Sequence, residues 1–99
     1  MNDEDMMLME SILEMIENTP DTKYLEDLKG QDLKIVLEDL TRIKVSAQKI
    51  VDDTIEDPKE ARLYELFSRQ LKCVTREINL VNFEIAKRAA RAERMAQND

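Results

Sequence analysis

The stretch DLKIVLEDLTRIKVSAQKIVDDTIEDPKEARLYELFSRQLKCVTREINLVNFEIAKRAARAE, residues 32–93, decides the fold. Its first half places Leu33, Val36, Leu40, Ile43, Ala47, Ile50 and Thr54 at alternating three- and four-residue steps. That is a heptad seam along one face of a helix, widened by Leu37 and Val51. The second half repeats the pattern with Tyr64, Phe67, Leu71, Val74, Ile78, Val81 and Ile85. Between them stands Asp57-Pro58-Lys59-Glu60. It reads as an N-cap, a proline at the first helical position and a capping-box glutamate. The pattern predicts an all-α fold. Its centre is a long, coiled-coil-like antiparallel helical hairpin, with helices from about Gln31 to Ile55 and from Pro58 to about Met95.

The second helix carries another stripe, comprising Leu63, Leu66, Gln70, Cys73, Glu77, Leu80 and Phe83. One partner helix covers the first stripe, and a lone hairpin would leave this second one in water. The stripe is therefore expected to be the interface of a homo-oligomer. Helices of about 25 and 38 residues span roughly 37 and 57 Å at the helical rise. The longer one should overhang by about a dozen residues, over Phe83 to Met95. The overhang is basic: Lys87, Arg88, Arg91 and Arg94 alternate with alanines. This patch suits DNA phosphate or an acidic partner, or else complements the helix C-terminal dipole and acids of the first helix.

Upstream, residues 4–18 read as a helix with two adjacent apolar stripes: Met6, Met9, Leu13 and Ile16, then Leu8, Ile12 and Met15. Thr19-Pro20 stops it. Residues 21–29 suit a short helix with Tyr24, Leu25 and Leu28 inward, ended by Gly30. The chain divides into an N-terminal helical segment, 1–30, and the hairpin domain, 31–96. The first helix returns to the open end of the hairpin and is expected to cap the overhang. A DNA-reading helix-turn-helix over 4–29 is disfavoured, because the segment is acidic.

Composition narrows the chemistry. Residues 1–60 carry 17 acids and 7 bases, a net −10; residues 61–99 carry 5 acids and 8 bases, a net +3. Only the C-terminal end attracts a polyanion. There is no histidine, which excludes imidazole acid–base chemistry and histidine-ligated metal. No glycine-rich phosphate loop or nucleophile elbow is present, so neither an enzyme nor a cofactor is expected. Asp52, Asp53, Glu56 and Asp57 cluster at the bend and read as a solvated acidic tip rather than a cation site. The single cysteine, Cys73, cannot form an internal disulfide and suits a reducing compartment. No apolar run approaches the ~18 residues of a membrane span, and the acidic start is the wrong charge for a signal peptide. A soluble intracellular protein is expected.

Over about residues 35–90 the hairpin resembles the central domain of the small terminase subunit of T-even-like tailed bacteriophages. The resemblance is carried by AQKIVDDTIE (47–56), the Asp57-Pro58 tip and LYELFSRQLKCVTREINLVNFEIAK (63–87), with the tip, the Glu65/Phe67 pair after it, and Thr75-Arg76-Glu77-Ile78 followed by Leu80 and Lys87 nearest the family pattern. It implies a non-catalytic, ring-forming subunit in the cytoplasm of an infected bacterial host. Its partners would be other copies of itself, viral double-stranded DNA and the large terminase, whose motor it regulates during genome packaging. The alternative from another class is a small helical adaptor or coiled-coil regulator that binds a partner helix through the Met-rich first helix.

Overall fold

The computed structural model describes residues 2–18 and 23–97, and these are all-α. Helix α1 spans Asp3–Asn18, α2 Lys23–Asp27, α3 Gly30–Thr54 and α4 Ala61–Gln97, the last entered through a single 3-10 turn at Pro58–Glu60. Together they make a rod of 63 × 24 × 18 Å. No described helix is long and apolar enough to cross a membrane. Thr19 to Thr22, over which the stop signal and the start of the short helix were expected, lie outside the described residues.

The main core joins α3 to α4. It gathers Leu33 and Leu40 from the first half of α3, Val74 and Val81 from α4, and Leu25 from α2. Early α3 therefore lies beside late α4. Leu33 is 1% exposed and Val81 0%; burying each side chain contributes about 1.5–3 kcal/mol. Val36, Leu37, Leu71, Ile78, Leu80 and Ile85 close around this cluster. The α3 seam departs from the heptad reading at one position. Ile43 is 42% exposed, whereas Val51 is buried. A helix turns by 3.6 residues rather than 3.5, so a strict heptad drifts about 20° per repeat. By the end of α3 that drift brings Val51 onto the contact line, while Ile50 is only half-buried.

The turn between α3 and α4 keeps part of its expected chemistry. The Asp57 carboxylate accepts from the Lys59 backbone N–H at 3.0 Å, and Pro58 sits at the first position. The return arm of the capping box is not made: the Asp57 N–H donates instead to the Thr54 carbonyl at 3.1 Å. Glu60 contributes its backbone N–H, donated to the Asp57 carbonyl at 3.0 Å. The Thr54 hydroxyl donates to the Ile50 carbonyl at 2.6 Å, giving this buried polar side chain a partner.

Gly30 does not end α2. It opens α3, with a negative φ, after Lys29 has taken an extended conformation (φ −71°, ψ 158°). The break thus falls at Leu28-Lys29, and the left-handed cap expected of glycine is not used. Within α2, Leu25 is buried and Leu28 half-buried, but Tyr24 is 44% exposed rather than turned inward. Asn2 caps α1, its side-chain oxygen accepting from the Asp5 N–H at 2.8 Å.

α1 lies elsewhere than expected. It runs alongside the first half of α4, and it is α2 that sits by the end of α4. The second core cluster shows why: Leu13 packs on Leu66 and Cys73, with Met6, Met9 and Ile16 around them. The apolar seam at the start of α4 needed a cover, and α1 supplies a matching stripe.

Candidate functional site

Two surfaces of α4 were singled out by sequence, an assembly stripe and a basic end. The stripe is not one open face. Leu66 is 3% exposed and Cys73 9%, both beneath α1 of the same chain. Leu80 packs against the main core, Leu63, Gln70 and Glu77 are half-buried, and Phe83 alone is well exposed, at 67%. The premise that this stripe would stand in water is thereby overturned over its central part. α1 occupies the place assigned to a neighbouring copy.

Beside this apolar contact, the register of α1 follows a charge series that the apolar pattern did not reveal. Arg62, Arg69 and Arg76 recur every seven residues on α4, and Asp3, Glu10 and Glu17 every seven on α1. Arg62 pairs with Asp3 at 4.0 Å and Glu10 at 3.7 Å. Arg69 grips Glu17 with both nitrogens of its fork. Arg76 donates to the Ile16 carbonyl at 3.4 Å, near the C-terminal end of α1. From Arg62 to Arg69 the acidic partners rise from Asp3 and Glu10 to Glu17, so α1 runs parallel to α4. The Arg69 hydrogen bond holds the Glu17 carboxyl below its ordinary range, and the same bond raises Arg69. The signal was available in the sequence as two complementary seven-residue charge series.

The basic end divides into two pairs. Arg88 is committed to the fold: its Nε donates to Glu84 Oε1 at 3.0 Å, and one terminal nitrogen donates to the carbonyls of Leu25 (3.0 Å) and Glu26 (3.2 Å). Those carbonyls end α2, so the guanidinium serves as its C-terminal cap. Lys87 holds the other Glu84 oxygen at 2.8 Å and approaches Glu26 at 3.9 Å. It also stands 6.0 Å from the centre of the Phe83 ring. Glu84 is the buried charge at the hub, its side chain only 6% accessible. Hydrogen bonds from Lys87 and then Arg88 hold its carboxyl below the ordinary range.

Arg91 and Arg94 are different. Both are exposed, as is every residue from 89 to 97, and no described ion pair engages either. They are the two cations at this end available to something outside the chain. Their chemistry suits phosphate or carboxylate, which a guanidinium fork can grip in two places. Among the described residues no group of acids and thiols is arranged to hold a metal ion. No family model, curated protein or solved structure matches the chain.

Proposed function

We propose that the chain is a viral DNA-packaging small terminase, a non-catalytic subunit that assembles into a ring, helps recognise viral DNA and regulates the large terminase motor. In this reading α3 and α4 form an antiparallel hairpin, the repeated unit of the ring. The observation that carries it is the α3–α4 core with a cationic end of α4, residues 89–97, left exposed beyond it. A ring subunit needs a stiff body to stack against neighbours and a charged end to present on one rim. The family resemblance over residues 35–90 supplies the identity of the ring, and the packing is compatible with it: within Thr75-Arg76-Glu77-Ile78 the apolar Ile78 joins the core, while Arg76 reaches to α1.

Light scattering after size exclusion tests the assembly, and stimulation of a packaging ATPase by the purified protein tests the role. A single high-mass species that stimulates the motor is expected. A protein that stays monomeric at micromolar concentration and leaves the motor unchanged would sink the proposal.

A second reading has an observation of its own. Met7 and Leu8 are each 61% exposed on α1, and Ile12 48%. An adaptor that receives a partner helix on this face would expose such residues. Assembly of the chain without any other protein argues against it.

A further inference from the structure

One strip of α4 has a helix over one end and stands half-open at the other. Leu63, Gln70, Glu77 and Glu84 follow at seven-residue steps, so they share one side of α4. At about 100° per residue that side falls between the face under α1, with Leu66 and Cys73, and the face under α3, with Val74 and Val81. At Glu84 the strip is covered. α2 lies there, held through its last carbonyls by Arg88, with Leu25 buried. Leu63, Gln70 and Glu77 are only half-buried.

The helices on either side turn apolar flanks toward the open part. On α1, Glu10 and Glu17 mark one flank, paired with Arg62 and Arg69. Those arginines stand on the far side of Leu66 and Cys73 from Val74, so that flank points away from α3. Leu8 and Ile12 lie on the opposite flank of α1 and turn toward α3. On α3, Val51 borders a depression with Tyr64, Leu71 and Lys72, on the side of α4 away from α1. Ile43 and Ile50 lie on the other flank of α3 and turn toward α1. Ile12 is 48% exposed and Ile43 42%, and α1 and α3 scarcely touch each other. The floor between them, from Leu63 to Glu77, is roughly 21 Å long, room for about four turns of a further helix.

The charges around this groove are of one sign. α1 carries no Lys or Arg. It contributes Glu4, one turn before Leu8, and Asp5, two turns before Ile12. The floor contributes Glu77, and no described ion pair engages these three. Asp39, one turn before Ile43, is met by Arg42 from the outer side of α3. Uncompensated carboxylates beside apolar walls select a helix that carries cations along its apolar stripe.

We propose that this groove receives an amphipathic helix of another protein, its apolar stripe flanked by Lys or Arg, laid along α4 in line with α2. Its apolar side chains pack on Leu8, Ile12, Ile43 and Ile50, and its cations meet Glu4, Asp5 and Glu77. The proposal rests on the second reading in that α1 receives a helix, and it adds an opposite wall on α3, a floor on α4 and the charge of the partner. The groove is separate from the cationic end of α4, so it is open to a partner whether or not the chain assembles.

The probe is a synthetic peptide of about 18 residues, long enough to be partly helical alone, with leucines at three- and four-residue steps and lysines on both sides of them. Two controls are the same peptide with glutamates in place of the lysines and a scramble of the lysine peptide. Binding is read by fluorescence anisotropy at low salt. The lysine peptide should bind, and both controls at least about tenfold more weakly. Ile12→Ser with Ile43→Ser removes one exposed side chain from each wall and should weaken the lysine peptide at least about tenfold, with helicity by circular dichroism unchanged. Met7→Ser, which alters an exposed side chain of α1 outside the groove, should leave binding as it was.

If no peptide binds, the second reading and this groove fall together. Loss of binding in Met7→Ser but not in Ile43→Ser places the helix on the outer side of α1: the second reading stands and the groove is wrong. A scramble that binds as tightly as the lysine peptide shows attraction by net charge alone and overturns the proposal. So does a wild-type protein that assembles by itself and is dispersed by Ile12→Ser with Ile43→Ser, since a second copy then fills the groove.

Discussion

Arg88 caps a helix that its own neighbour Glu84 aims it at. Glu84 Oε1 accepts from Arg88 Nε at 3.0 Å, and the rest of the guanidinium then donates to Leu25 and Glu26 at the end of α2. A carboxylate one turn earlier on α4 thus orients the cation that ties α2 to α4. Arg88→Ala removes three hydrogen bonds from a partly buried site and should cost about 1–2 kcal/mol. Arg88→Lys should not recover it, because an ammonium lacks the planar fork needed to serve a carboxylate and two carbonyls together. Urea unfolding of the three proteins checks this, and a lysine variant as stable as wild type would contradict it.

Acid should weaken both of the charge-based attachments. Glu17 and Glu84 are held below their ordinary value of 4.5, chiefly by hydrogen bonds from Arg69 and from Lys87 respectively. In the acid range the unfolded chain then binds more protons than the folded one, so stability falls as pH falls. The contribution is fully present above about pH 5, beyond the unfolded value, and is lost as pH drops through the folded values. Urea midpoints at pH 7 and pH 3 should differ in that direction. Glu84→Gln should flatten the dependence, and a variant with the wild-type slope would show that Glu84 is not a source of it.

The two core clusters predict different consequences for the same substitution. Leu33 is 1% exposed in the cluster that joins α2, α3 and α4, and Leu33→Ala should lower global stability by about 2–5 kcal/mol. Leu13 is 3% exposed, but its cluster joins only α1 to α4. Leu13→Ala should therefore speed amide exchange in α1 while α3 keeps its protection. Equal loss of protection in α3 would mean that the two clusters unfold as one.

The α3–α4 core was legible because a seam of leucines and valines at heptad spacing states both the helix and its buried face. Of the α4 seam, Val74 and Val81 are buried as read, and the other five positions are half-buried. The proline turn was legible for a similar reason, since Asp57 and Pro58 act through local geometry. What covers Leu66 and Cys73 was not. An apolar stripe says that something covers it and not whether the cover comes from the same chain. The identity was written in a second pattern, Asp3, Glu10 and Glu17 on α1 against Arg62 and Arg69 on α4, which the apolar stripes alone do not bring out. The basic end failed in another way. Four cations at helical spacing look alike, yet Lys87 and Arg88 share a buried glutamate, and nothing in the spacing marks Glu84, between Phe83 and Ile85, as the buried charge that holds them.

Cys73 reports directly on whether α1 stays in place. It is the only cysteine, it is 9% exposed beneath Leu13, and burial pushes its thiol above the ordinary value of 9.0. Both effects suppress reaction, since the thiolate is scarce and α1 blocks access. A water-soluble thiol reagent at pH 8 should modify the native protein far more slowly than the unfolded chain. Leu13→Asp places a charge against Leu66 and Cys73 and should release α1, raising the rate at least about tenfold while the α3–α4 core stays folded. Arg69→Ala, which removes the grip on Glu17, should raise it by a smaller factor. Modification of wild type at the rate of a free thiol would mean that α1 does not hold its place. Slow modification of the Leu13→Asp variant would mean that something other than α1 covers Cys73.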